Sequence, residues 1–192
     1  MPVIRIVFPV SDGSLGKLRA GDRVLVSGTI YVARDAAHRR FMEALRAKKK
    51  FPVPLANGLL YYMGPAPAPP GKIIGSCGPT TAGRMDAMTV PLIERGMKAT
   101  MGKGRRHADV IAACKKYGAV YLITYGGCGA YLAQFVKKMR VAAYVDLGPE
   151  AVLQLEVADF PAVVGIDTKG RDFYAGRKKL YNTGLSMESS RP

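Results

Sequence analysis

The chain has 192 residues and carries 29 Lys and Arg against 14 Asp and Glu, a formal charge of +15. Its 48% hydrophobic and 22% charged content is that of one globular domain able to bury a core. No apolar run approaches the roughly 20 residues of a membrane-spanning helix, and the opening residues read as a strand, not an export signal, so a cytoplasmic protein without a membrane partner is expected.

Residues 3–10 are apolar and β-branched and predict a strand. Residues 12–22, with Gly13, Gly16 and Gly21, read as a loop. Residues 23–33 have strand composition, with Gly28 as a bulge or bend. An amphipathic helix is predicted over 35–49, with Ala37, Phe41, Ala44, Leu45 and the stem of Lys48 on one face and Asp35 as N-cap or first-turn acid. Residues 59–63 predict a strand. The stretch Gly64-Pro65-Ala66-Pro67-Ala68-Pro69-Pro70-Gly71 is a stiff internal loop, since the segment before it has too few apolar elements to fold alone.

A short strand over 72–76 is predicted to lead into Gly78-Pro79-Thr80-Thr81-Ala82-Gly83-Arg84-Met85-Asp86. A helix follows over 85–95, with Pro91 in its first turn or at a kink and Gly96 as C-cap. Next come a strand at 99–101, a helix over 107–117 ending at Gly118, and a buried strand at 119–125. Gly126-Gly127-Cys128-Gly129 is a tight turn into a helix over 130–139. Strands are expected at 141–145, 153–157 and 163–167. Alternation of strand and helix implies parallel pairing. The expected fold is therefore one α/β domain over residues 1–182, a mixed sheet with helices and an appended β layer, with a flexible tail at 183–192.

Three strand-to-helix junctions carry cationic groups. The first is Arg34-Asp35-Ala36-Ala37-His38, the second holds Thr80, Thr81 and Arg84, and the third is Met101-Gly102-Lys103-Gly104. Backbone N–H groups at a helix start, hydroxyl donors and a planar guanidinium suit a carboxylate, so together these junctions suit a dianionic small molecule. Plainer readings stand beside this one. Thr80 or Thr81 also fits as a simple N-cap, and Lys103 as an exposed loop lysine. His38, four residues after Arg34, fits a support for that arginine or a helix cap as well as a proton carrier.

The basic residues form short clusters, among them Lys48-Lys49-Lys50, Arg105-Arg106, Lys137-Lys138 and Arg177-Lys178-Lys179. A solvated surface accounts for them, as does docking to an acidic partner. Nucleic acid is the weaker reading, because no stacking platform or binding signature accompanies the charge. Cys77, Cys114 and Cys128 lack C-x-x-C spacing. They fit buried small hydrophobes better than a converging cluster site. Cys128 after two glycines also fits a nucleophile, but no His/Asp partner is evident.

The segment Ile-Ile-Gly-Ser-Cys-Gly-Pro-Thr-Thr-Ala-Gly-Arg-Met-Asp with Met-Gly-Lys-Gly downstream resembles the C-terminal domain or β subunit of class I, iron–sulfur-dependent fumarate hydratases, a region shared by the L-tartrate dehydratases. Residues 28–38, Asp146-Leu147-Gly148-Pro149-Glu150-Ala151 and Phe160-Pro161-Ala162-Val163 are similar to further landmarks of that family. The resemblance implies a swivelling β/β/α fold and an α subunit whose three cysteines hold a [4Fe–4S] cluster with one open iron acting as Lewis acid. Cysteines 77, 114 and 128 do not match those ligands, so no metal role falls to this chain. By motif position, Arg34, Thr80, Arg84 and Lys103 correspond to substrate-contacting residues. Thr80 stands where the family has a proton-transfer hydroxyl, with Thr81 as the other choice.

The resemblance implies reversible hydration of fumarate to (S)-malate, with dehydration of L(+)-tartrate as the alternative. It also implies a hetero-oligomer such as α2β2, inactive without its α subunit. The basic excess would then serve docking onto an acidic α subunit or attraction of dianions. A dicarboxylate-binding or nucleic-acid-binding module without catalysis is the non-enzymatic alternative.

Overall fold

The computed structural model describes residues 3–11 and 13–175. The predicted tail, the cluster at 177–179 and the end of the expected domain at 182 lie outside the described residues. Among the described residues, β1 (Ile4–Phe8), β2 (Arg23–Val32), β3 (Leu59–Tyr61), β4 (Ala99–Gly102) and β5 (Val120–Ile123) pair in parallel in that order. The helices α1 (Asp35–Arg46), α2 (Asp86–Glu94) and α3 (Ala108–Tyr117) form the crossovers, as strand–helix alternation requires. The chain is thus α/β. No helix of the described residues is long and apolar enough to cross a membrane.

Expected parallel pairing fails for the last third. β7 (Val152–Ile166) runs antiparallel, lying along β2 from Arg23↔Val163 to Val32↔Leu153. Its other edge pairs with β6 (Val136–Ala143) and then with β5. The ladder β2-β3-β4-β5-β7 therefore closes on β2, with β1 and β6 as edges. The predicted strands at 153–157 and 163–167 are one 15-residue strand. Asp159, at φ 52, bends it, and Pro161 sits inside it opposite Leu25. Antiparallel pairing along almost all of β2 outweighs the local interruption.

Side-chain alternation divides the core in two. Leu59 and Tyr61 of β3 join Val26, Met101, Leu122, Leu155 and Phe160 between the β layers. Leu60, Tyr62 and Tyr121 face Phe41, Leu92 and Val110 of the helices. A mixed sheet with helices is the α/β architecture expected. Gly28 marks a bulge, as expected: its φ is 95 and the register with β7 shifts between Val26 and Gly28.

Three further expectations are corrected. The helix predicted over 130–139 is only α4 (Gly129–Ala133), and the strand expected at 141–145 begins at Val136. Val136 is buried opposite Val157, and pairing with β7 overrides the helical propensity of Lys137, Lys138 and Met139. Cations on that edge are what exposed edge strands commonly carry. Residues 72–76 form no strand; they bend past the proline-rich loop, joined to it by Ala66 N–H donating to Ser76 O at 2.9 Å. Of the two readings for Pro91, the first turn is excluded: it is the sixth residue of α2, which ends three residues later.

Candidate active site

The carboxyl ends of β2, β3, β4 and β5 stand side by side, the usual place for a ligand in a parallel sheet. Arg34 leaves β2, Gly64 follows β3, Lys103 leaves β4 and Gly126 follows β5. Beyond Tyr61 the strands β3 and β4 part, and their backbone groups need partners. Thr80 supplies them. Its N–H donates to Tyr62 O at 2.7 Å, and its carbonyl accepts from Lys103 N–H at 3.2 Å. Ala82 N–H then donates to Lys103 O at 2.9 Å. Thr81 pairs with Lys103 as a parallel bridge. Neither Thr81, which caps the 3-10 turn Ala82–Met85, nor Met85 before α2 makes a side-chain cap bond. The segment is therefore more than a capped helix entry.

Arg84 rides on that 3-10 turn. Its Nε donates to Asp35 Oδ1 at 3.1 Å and its Nη2 to Asp35 Oδ2, a two-pronged pair at the start of α1. Burial pushes the Asp35 carboxyl up, but the Arg84 fork and a backbone N–H outweigh it and hold the carboxyl below its ordinary range. Asp35 is thus the first-turn acid; the N-cap position belongs to Arg34.

Arg34 is held differently. Its guanidinium lies flat over Gly64, where a Cβ would stand 2.6 Å from Cζ. Its Nη2 is 3.5 Å from Glu150 Oε1, and its Nε has no hydrogen-bond partner. Glu150 Oε2 also accepts from Ala36 N–H at 2.8 Å, tying the 3-10 stretch Val145–Glu150 to α1. Lys103 is exposed and lays its stem over Gly126, with Cδ 3.3 Å from where a Cβ would be. All four expected residues therefore reach one end of the sheet: Thr80 and Lys103 by backbone bonds, Arg84 through the same segment, and Arg34 through its neighbour Asp35.

His38 is fully buried, with Nδ1 2.9 Å from the Arg34 carbonyl. A carbonyl only accepts, so Nδ1 carries the proton and Nε2 is left without a partner. Burial brings its pKa down to about 4. Among the readings left open for His38, support for the first turn of α1 fits, and a role as proton carrier does not.

Sequence reasoning missed two features. Arg106, read as part of a surface cluster, has a side chain 0% exposed, paired with Asp86 at 2.5 Å. Glu150 was noticed only as part of a landmark; its contact with Arg34 joins positions far apart in the chain. The one available signal for Asp86 was its place at the end of the nine-residue motif.

The thiols do not fit an iron–sulfur cluster. Cys77 belongs to the core between the β layers and Cys114 to the core under the helices, and burial pushes each up to about 12. Cys128 is exposed. Among the described residues no group of three His, Cys, Asp or Glu side chains converges as a metal site. This end of the sheet thus carries two guanidiniums, each facing a carboxylate, an exposed ammonium and a threonine.

Comparison with known proteins identifies a family. A family model described as Fumarase C-terminus matches residues 4–177. "Fumarate hydratase 2" of Leishmania major is 43% identical over 164 residues, covering 84% of this chain and 29% of the relative. "Fumarate hydratase class I, anaerobic" of Escherichia coli is 43% identical over 162 residues, covering 83% and 30%. "Putative L(+)-tartrate dehydratase subunit beta" of Methanocaldococcus jannaschii is 38% identical over 172 residues, covering 86% of this chain and 88% of the relative. The chain thus spans about three-tenths of the length of the fumarate hydratases it matches. With a family model matched over nearly the whole described length and relatives about 40% identical, the chain belongs to the Fumarase C-terminus family, in the company of hydro-lyases.

Proposed function

We propose that this chain is the β subunit of a two-subunit, cytoplasmic hydro-lyase that interconverts fumarate and (S)-malate. The observation that carries the reading is the meeting of Arg34, Arg84, Lys103 and Thr80 at the carboxyl ends of β2 to β4, with Thr80 and Lys103 joined through their backbones. In this reading Arg34, Arg84 and Lys103 hold the dicarboxylate. When a proton leaves the carbon beside one carboxylate, negative charge grows on that carboxylate's oxygens. Preorganised cations stabilise it more than they stabilise the ground state. The Thr80 hydroxyl passes that proton onward. A threonine is a weak base, so an acidic residue of the α subunit completes the relay. The thiols of this chain do not fit the [4Fe–4S] cluster of such enzymes, so the cluster is assigned to the α subunit. The chain alone is then inactive.

The second reading, dehydration of L(+)-tartrate, is favoured by one observation: a relative named as a putative L(+)-tartrate dehydratase subunit beta is 38% identical to this chain over 172 residues. Anaerobic reconstitution with the α subunit, iron and sulfide decides between them. Malate and tartrate are compared, and each subunit alone is the control. Fumarate formed from malate only by the pair supports the first reading, and an Arg84→Ala loss of about 100- to 1,000-fold in kcat/KM ties it to the site. Turnover of tartrate alone supports the second. A cluster-loaded complex active on neither refutes both and leaves a binding role.

A further inference from the structure

We propose that the buried Asp86–Arg106 pair is a positioning pair for the site, setting the distance of Thr80 and Arg84 from Lys103; this rests on reading those residues as a dicarboxylate clamp. Asp86 directly follows the 3-10 turn that carries Arg84, and Arg106 lies three residues beyond Lys103. The pair thus ties together the roots of the two segments. Asp86 Oδ1 accepts from Arg106 Nε at 2.5 Å, and Oδ2 accepts from His107 N–H at 2.6 Å. One carboxylate so fixes both the side chain and the backbone of the loop after β4.

Arg106 is satisfied on every side. Nη1 donates to Thr100 Oγ1 at 3.0 Å and Nη2 to Thr89 Oγ1 at 2.9 Å. The guanidinium carbon lies 5.3 Å from the Tyr62 ring centre and 4.8 Å from that of Tyr121. Tyr121 in turn donates its hydroxyl to Gly104 O at 3.0 Å, beside Lys103. Each contact reaches a strand or helix that carries the site: β3 leads to Tyr62, β4 holds Thr100, and α2 holds Thr89. A buried ion pair adds little net stability over well-packed apolar side chains, but its hydrogen bonds have fixed directions. Direction matters here because Lys103 stands between Gly102 and Gly104, in a loop with little stiffness of its own.

The test compares the full-length wild-type chain with Asp86→Leu/Arg106→Met, which removes both charges, and with Arg106→Lys, which keeps the charge without the fork. Amide exchange is read residue by residue. The expected result is about tenfold or greater acceleration at Ala82 and Lys103, with the β2–β7 ladder close to wild type. In the reconstituted complex, kcat/KM falls about tenfold or more. Wild-type exchange at Ala82 and Lys103 in a folded variant overturns the proposal. So does acceleration spread evenly over the sheet, which marks a general loss of stability. If the double variant does not fold, Arg106→Lys decides by the same readout. If the wild-type complex has no hydro-lyase activity, the proposed function falls, while the exchange pattern still decides whether the pair positions these segments.

Discussion

Replacing Gly64 by Ala tests the arginine clamp without touching a charged residue. The new Cβ would stand 2.6 Å from Arg34 Cζ and Nη1 and 2.9 Å from Nε. Ordinary contact needs about 3.5 Å, so the guanidinium must retreat by about 1 Å. It has little to resist with: Glu150 is 3.5 Å away and Nε has no partner. The clash falls on the far end of a flexible side chain, so the fold should absorb it for about 1 kcal/mol or less. A substrate clamp displaced by about 1 Å loses on the order of 100-fold in rate. Malate dehydration by the reconstituted pair, beside thermal melting of the β chain, checks both numbers. A Gly64→Ala chain that melts like wild type and keeps kcat/KM within about threefold would show that Arg34 does not work from this position.

Two further predictions concern stability. His38 falls from 6.5 to about 4 on folding, worth about 3 kcal/mol at about 1.4 kcal/mol per pH unit. Between those values the unfolded chain binds the extra proton, so stability rises with pH across the window and is level above it. The lowered carboxyls Asp35 and Asp167 lose their contribution only as pH falls below about 4. Urea unfolding from pH 4.5 to 7 should show the slope and His38→Gln should flatten it; equal slopes in both chains would refute the assignment. Gly28→Ala would force a Cβ to 2.2 Å from the backbone oxygen of Phe8 at a φ of 95. A loss of at least about 2 kcal/mol in urea unfolding is expected, and a loss under about 0.5 kcal/mol would contradict the bulge geometry.

Much of this protein was written locally. The helix at 108–117 declares itself by its spacing and ends, the helix expected over 35–49 by its spacing although it stops at Arg46 and leaves Lys48 outside it, and Gly28 declares a bulge, because backbone conformation there is set by near neighbours. That Arg34, Thr80, Arg84 and Lys103 stand at one end of the sheet was legible because they lie in short motifs at strand-to-helix junctions, where a parallel sheet exposes its loops. Tertiary structure decided what depends on distant partners. Lys137, Lys138 and Met139 have the composition of a helix, and only the free edge of β7 makes them a strand. The segments at 153–157 and 163–167 merge because β2 pairs with both. Arg106 is indistinguishable in the sequence from the exposed Arg105 next to it. What buries it is the meeting of Asp86, Thr100, Tyr62 and Tyr121, contacts that exist only once the sheet has closed. Short-range rules set most of the elements and put cations at the junctions. Long-range pairing closed the ring and chose which of those cations face solvent and which lie inside.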